Sequence, residues 1–202
     1  MKIRKANNND VNTLASEHER IFCDFFMASL GSSFLKAYYK TAVNYEETVC
    51  LMADDEEGNC LGFVFGRVKA KGYLKRLLKK GFVRFAWCGV KLLFTHPKAL
   101  LRLYKNLEKK GNANGIEDSQ DYAEIGLIGV SPQIKGQGIG HQLLNAFESE
   151  IKEHGAYRVS LTTDYYENEN TLTAYKAWGF SVLYDFTVYP DRRMYRLIKD
   201  VK

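Results

Sequence analysis

The run Val130-Ser131-Pro132-Gln133-Ile134-Lys135-Gly136-Gln137-Gly138-Ile139-Gly140 constrains this chain more than any other stretch. The apolar segment Ala123–Val130 leads into it. An apolar stripe at helical spacing leads out: Ile139, Leu143, Phe147 and Ile151, with Leu144 beside it. The order is therefore strand, glycine-rich turn, helix, with Gly155 as the stop. Without a Cβ, the backbone at Gly136, Gly138 and Gly140 can bend sharply and approach an anion closely. Its N–H groups then converge at the positive end of a helix dipole, which suits a pyrophosphate. Other phosphate loops fail on spacing. There is no GxxxxGK[ST], and residues 136–140 read GxGxG rather than GxGxxG, with no early β-α-β unit around them. A glycine turn that only links strand to helix is the plain alternative to a phosphate site.

The rest of the chain alternates short strands and helices. Residues 2–6 alternate as a first strand, and Asn8-Asn9-Asp10 offers helix caps ahead of Val11, Leu14, Ile21, Phe22 and Phe25. Gly31-Ser32-Ser33 interrupts, and Phe34, Leu35, Tyr38 and Tyr39 predict a second helix. Residues 48–53 and 60–68 read as a hairpin around an acidic turn at 54–58. After the glycine loop the pattern predicts a strand at 158–163, a helix at 170–177 stopped by Gly179, and a closing antiparallel pair at 181–188 and 194–199.

Two spacings together resemble the GNAT superfamily of acyl-CoA-dependent N-acyltransferases. That family's phosphate-loop pattern, Q/R-x-x-G-x-G/A, is met by Gln133, Gly136 and Gly138 after a strand ending in V-x-P, here Val130 and Pro132. A second segment resembles N-x6-Y-x3-G-F and is met by Asn168, Tyr175, Gly179 and Phe180. The resemblance is firm over 122–180, looser over 1–68 and 181–199, and does not extend to 69–110. It implies an α/β (α+β) fold with a mixed, mainly antiparallel central sheet flanked by helices. It also implies that the 123–130 and 158–163 strands splay, with the pantetheine arm of the cofactor in the gap. Backbone groups of Ile128, Gly129 and Val130 would bond that arm. The N–H groups of Lys135, Gly136, Gln137, Gly138, Ile139, Gly140 and His141 would hold the pyrophosphate. Asn168 would touch the arm from the other side, and Gln133 would brace the loop. The co-substrate implied is acetyl-CoA or another acyl-CoA.

The chemistry then expected is direct attack by a primary amine on the thioester, in a ternary complex. A backbone N–H on the splayed strand polarises the carbonyl oxygen. Tyr175 protonates the departing thiolate, since a phenol of pKa about 10 suits a thiolate of about 8.5. The plain alternative for Tyr175 is an aromatic packed under Gly179-Phe180. Glu124, six residues before Val130, is the candidate base, directly or through a water; the alternative is a solvated strand carboxylate. Tyr122, Asp164 and Tyr165 rank behind it. His141 reads as a helix-surface residue, and His18, His96 and His154 show no clustering of the kind a metal needs. A rival reading from another class is a non-catalytic acyl-CoA-binding or sensor module, against which Glu124 and Tyr175 count.

Residues 69–110 stand apart. They hold thirteen Lys or Arg and one acid, Glu108, a net of +12 in a chain whose total is +5, which leaves −7 for the remainder. Leu, Phe and Trp recur among these charges at helical intervals, predicting two or three basic amphipathic helices broken near Gly89 and His96-Pro97, inserted into a single 1–202 domain. Residues 111–120 read as a polar connector. Three roles are open for the insertion: a wall of the acceptor site, a peripheral contact with an anionic membrane, or a hairpin packed on the fold with its charges solvated. Nucleic acid binding has no recognised module in its favour. The acceptor is expected to be a small-molecule or protein amine, and an oligomer is compatible with the sequence. Four cysteines without a CxxC pair, and a first decade lacking the apolar stretch of a signal peptide, lead to the expectation of a cytoplasmic protein.

Overall fold

The computed structural model describes residues 1–95, 117–188 and 191–201. Its strands are β1 (Lys2–Lys5), β2 (Thr48–Asp54), β3 (Cys60–Arg67), β4 (Ala123–Val130), β5 (Arg158–Asp164), β6 (Ser181–Val188) and β7 (Arg192–Asp200). They form one seven-stranded sheet in the order β1-β2-β3-β4-β5-β7-β6. Every neighbouring pair is antiparallel except β4 and β5. The expected mixed, mainly antiparallel sheet is thus what the chain forms. Its helices are α1 (Val11–Ile21), α2 (Ser32–Ala42), α3 (Tyr73–Lys80), α4 (Phe82–Thr95), α5 (Ile139–Glu153) and α6 (Glu169–Ala177).

Two apolar clusters line the sheet, one on each face. Because side chains alternate along a strand, Leu51 and Val64 join one cluster while Met52 and Phe65 join the other. The first cluster is closed by α5, whose Leu143, Phe147 and Ile151 are wholly buried. Gly66 of β3 lets that helix come close, since a Cβ there would lie 2.6 Å from the Phe147 ring. The second is closed by α1 and α2. Leu35, Tyr38, Tyr39 and Ala42 follow a helical stripe on α2, and the buried His18 of α1 meets the Tyr39 hydroxyl at 2.7 Å.

The inserted helices differ from the sequence reading in one respect. The break falls at Gly81, and α4 continues through Gly89. Gly81 is buried, and a Cβ on it would stand 2.7 Å from both Thr41 and Phe85, so close packing on α2 selects glycine there. Gly89 has open space around it, and its helical cost of about 1 kcal/mol is borne by the packing of α4 as a whole. α3 is tied to the body. Tyr73 and Leu77 are buried, the Tyr73 hydroxyl meets Thr48 at 2.7 Å, and Arg76 pairs with Glu47 at 2.6 Å. Of the connector, residues 117–120 are described. Asp118 accepts hydrogen bonds from the Tyr122 and Tyr184 hydroxyls, each at 2.6 Å. The expected break at His96-Pro97, and any helix beyond it, lie outside the described residues.

Candidate active site

β4 and β5 run together for only three residue pairs, from Ala123↔Val159 to Ile125↔Leu161. Beyond Ile125 the strands part. β4 stays with β3 as far as Gly62↔Val130, and β5 stays with β7 as far as Asp164↔Met194. The point of divergence is a bulge. Phe65 pairs with Leu127 and Gly66 with Ile125, so Gly126 is the extra residue that redirects β4. The result is a wedge-shaped gap open toward the glycine loop.

The backbone lining that gap follows from ladder geometry. Ser131 N–H donates to the Leu61 carbonyl at 2.8 Å, which makes that pair a hydrogen-bonded one. Antiparallel pairs alternate, so Gly129 and Leu127 also bond toward β3, while Val130 and Ile128 turn their N–H and C=O groups the other way, into the gap. The residues expected to bond an extended ligand arm therefore divide: Ile128 and Val130 present free backbone groups, and Gly129 does not. Gly129 serves packing instead, since a Cβ there would stand 2.7 Å from Phe22 and 2.8 Å from Ile21 at the end of α1.

The loop closes the wide end of the gap. After a short 3-10 turn at Pro132–Ile134, Gly136 and Gly138 adopt φ of +86° and +78°, in the left-handed region that favours glycine. Nothing lies within 4 Å of where a Cβ would stand at either one. Gly138 is the N-cap of α5 and has no side chain to cap the helix, so no side chain caps the first N–H groups, at Ile139, Gly140 and His141. A diphosphate fits these features on charge and access. Lys135, Gln137 and His141 are exposed on the loop's rim. Gln133 braces it: its amide oxygen accepts from the Ser131 hydroxyl and, at 3.4 Å, from Arg20 of α1.

α6 flanks the loop. Trp178 lies 3.8 Å from the Cβ position of Gly140 and stacks on His141, with ring centroids 5.3 Å apart. Tyr175, one turn earlier, packs edge-on against Trp178 and Phe180. Burial pushes the Tyr175 phenol up to about 12, so it stays protonated at neutral pH. No hydrogen bond from another described residue engages its hydroxyl. Asn168, just ahead of α6, donates to Thr163 Oγ1 at 2.6 Å and to the Asp164 carbonyl at 2.9 Å, fixing the end of β5. Its amide hydrogens are thereby occupied, which leaves its carbonyl oxygen for any ligand contact.

Glu124 sits in a setting the sequence did not foresee. It is buried at 8% exposure and clamped by two arginines. Arg67 Nε donates to Oε2 at 2.9 Å and Arg67 Nη2 to the same oxygen, while Arg196 Nη1 donates to Oε1 at 2.6 Å. Burial pushes its carboxyl up, but the two guanidinium groups outweigh this and hold it below the usual carboxylate range. Such a carboxylate is a weak proton acceptor, and its burial rules out the solvated strand carboxylate of the sequence reading. The lesser candidates are engaged as well. Tyr122 donates to Asp118, Asp164 is gripped by Arg192 at 2.5 and 2.6 Å, and Tyr165 stacks between Tyr195 and Arg193.

A cavity of about 610 Å³, bordered by Glu47, Lys69, Tyr122 and His154, opens at the opposite end of β4. Of the expected site residues it touches Tyr122 alone, and the wedge and loop, not this cavity, carry the features a pyrophosphate needs.

The profile of the Acetyltransferase (GNAT) family matches residues 16–180, a span that includes the wedge, the loop and α6. This chain belongs to the GNAT family. Membership implies acetyl transfer from acetyl-CoA to an amine. Solved structures agree on the fold. One described as the crystal structure of an acetyltransferase superposes with a TM-score of 0.65 at 16% identity, over 100% of both chains. Naa20 of Chaetomium thermophilum, in complex with a bisubstrate analogue, gives 0.60 at 18% identity, covering 100% of this chain and 87% of its own. Aminoglycoside 6'-acetyltransferase type Ii gives 0.61 at 14% identity, covering 100% and 98%. At these identities the likeness concerns the fold alone. No curated protein matches the chain by sequence.

The residues that sequence reasoning missed are Arg67, Arg196 and Trp178. Arg67 had a signal, as the one charge ending the apolar run of β3. Trp178 had a weaker one, an aromatic directly before Gly179-Phe180. Arg196 had none.

Proposed function

We propose that this protein transfers an acetyl group from acetyl-CoA to a primary amine by direct attack within a ternary complex. The observation that carries the reading is the wedge between β4 and β5, with unpaired backbone at Ile128 and Val130 leading to an uncapped helix terminus at Gly138. An extended pantetheine arm completes the interrupted sheet edge, and its pyrophosphate meets the N–H groups of the loop. That fixes the thioester at the narrow end of the wedge, where a β4 N–H polarises its carbonyl. Tyr175 donates a proton to the leaving sulfur; burial keeps that proton in place until charge develops.

The amine's proton is the step for which no side chain stands ready. Glu124 is tied to Arg67 and Arg196, and we assign it the task of holding those two arginines, one from β3 and one from β7, on either side of β4 and β5. The neutral fraction of the amine then attacks, and its proton leaves to solvent. A thiol-release assay with acetyl-CoA and a panel of amines tests the reading. Acetyl-CoA binding with no thiol release for any amine would favour a binding or sensor module instead.

A further inference from the structure

The exposed face of α4 is apolar. Gly81, Phe85, Cys88 and Leu92 recur at helical spacing on the side that packs on α2, where Phe34 meets Phe85 with ring centroids 6.2 Å apart. The opposite side should be polar in a surface helix. Instead it carries Phe82 at 70% exposure, Val83 at 79%, Trp87 at 74%, Val90 at 50% and Leu93 at 56%, with Ala86 among them. The stripe extends about 17 Å along one helix. The segment that carries it is basic: residues 69–95 contain eight Lys or Arg and no Asp or Glu. Lys75, Lys79 and Lys80 lie on the exposed surface of α3 just ahead of the stripe, and Arg84 is exposed beside it.

We propose that α3 and α4 dock this protein on an anionic lipid bilayer, with Phe82, Val83, Trp87 and Leu93 entering the headgroup–acyl boundary and the flanking lysines meeting lipid phosphates. Charge complementarity selects this occupant. A second copy would bring two acid-free segments of eight positive charges together across a two-fold axis, which repels. The stripe is the outer face of one helix, with no polar residue among its six. A bilayer boundary accepts that composition; Trp favours the interface, and Lys stems reach back to the headgroups. No helix among the described residues is long and apolar enough to cross a membrane, so the contact is one of lying on the surface. The main neighbours of α4 are α2 and α3. The proposal does not rest on acyl transfer, and far-UV circular dichroism is the control that variants are folded.

The full chain is sedimented with phosphatidylcholine vesicles, with and without phosphatidylglycerol, at low and high salt. Expected is pelleting that requires the anionic lipid and weakens with salt. The double variant Val83→Ser/Trp87→Ser weakens partitioning by about tenfold, and Lys79→Glu/Lys80→Glu by about 25-fold or more, at roughly fivefold per Lys or Arg. In a Trp178→Phe background Trp87 is the single tryptophan, and its emission shifts to the blue and is quenched by brominated acyl chains. Absence of pelleting at low salt overturns the proposal. So does pelleting indifferent to Val83→Ser/Trp87→Ser, which marks capture by charge alone. A concentration-dependent dimer in sedimentation velocity that the same double variant dissolves, without vesicle binding, reassigns the stripe to a second copy.

Discussion

Replacing Glu124 with Gln separates the two roles this carboxylate has been given. Glu124 has 11% of its side chain exposed, against 22% for Arg67 and 13% for Arg196. All three are shielded enough that the loss of one charge is poorly screened. Gln keeps the shape and one acceptor oxygen but leaves two guanidinium groups facing each other without a counter-charge. Breaking a buried pair by removing one partner costs about 3–5 kcal/mol, and the retained amide oxygen argues for the lower end, about 3 kcal/mol. In a chain of this size that lowers Tm by roughly 6–12 °C. The pH dependence carries a sign. The folded carboxyl lies below its unfolded value, so its contribution is complete above the unfolded pKa of about 4.3 and is lost as pH falls through the folded one. The Tm gap between wild type and Glu124→Gln should therefore be constant above about pH 5 and close on acidification below it. Differential scanning calorimetry across pH measures the gap, and thiol release on the same samples measures turnover. An unchanged Tm with turnover reduced by about 10² or more would refute the clamp and restore Glu124 as the general base.

Three further outcomes are expected. Gly138→Val places a branched side chain at φ +78°, in the open space above the loop; it should weaken acetyl-CoA binding by calorimetry about 10- to 100-fold, the worth of one lost charge-assisted hydrogen bond, while far-UV circular dichroism stays native. Tyr175→Phe removes one hydroxyl from a half-buried ring and should lower kcat roughly 10²-fold with acetyl-CoA affinity unchanged, and full turnover under rate-limiting chemistry would reduce Tyr175 to a packing residue. With the amine's proton leaving to solvent, kcat/KM should climb with pH toward the amine's own pKa, and an early plateau near a carboxylate or imidazole pKa would mean that a side-chain base does act.

Local pattern made most of the frame legible. The stripe Ile139, Leu143, Phe147 and Ile151 announced α5, and all four are buried at 5% exposure or less, because one helical face is a property of spacing alone. β4 and β6 fall on the stretches read as strands, and β7 is longer than its predicted 194–199 by two residues at the start and one at the end. The positive φ at Gly136 and Gly138 was likewise implicit in residue type. Glu124 was chosen for its place on the strand, but its character depends on Arg67 and Arg196, which lie 57 and 72 positions away along the chain. No local rule reports a pairing at that separation. The inserted helices show the same division. Their basic, apolar composition was evident, yet α4 is apolar on both sides, and spacing cannot say which side faces the protein. That choice was made by Thr41 and Phe34 of α2, against which Gly81 and Phe85 fit closely, and it left Phe82 and Trp87 outside. The sequence thus determined the elements and the loop, where the deciding interactions lie within a few residues. The charge state of Glu124 and the outward face of α4 depend on burial and on neighbours brought together only by the assembled sheet and its covering helices.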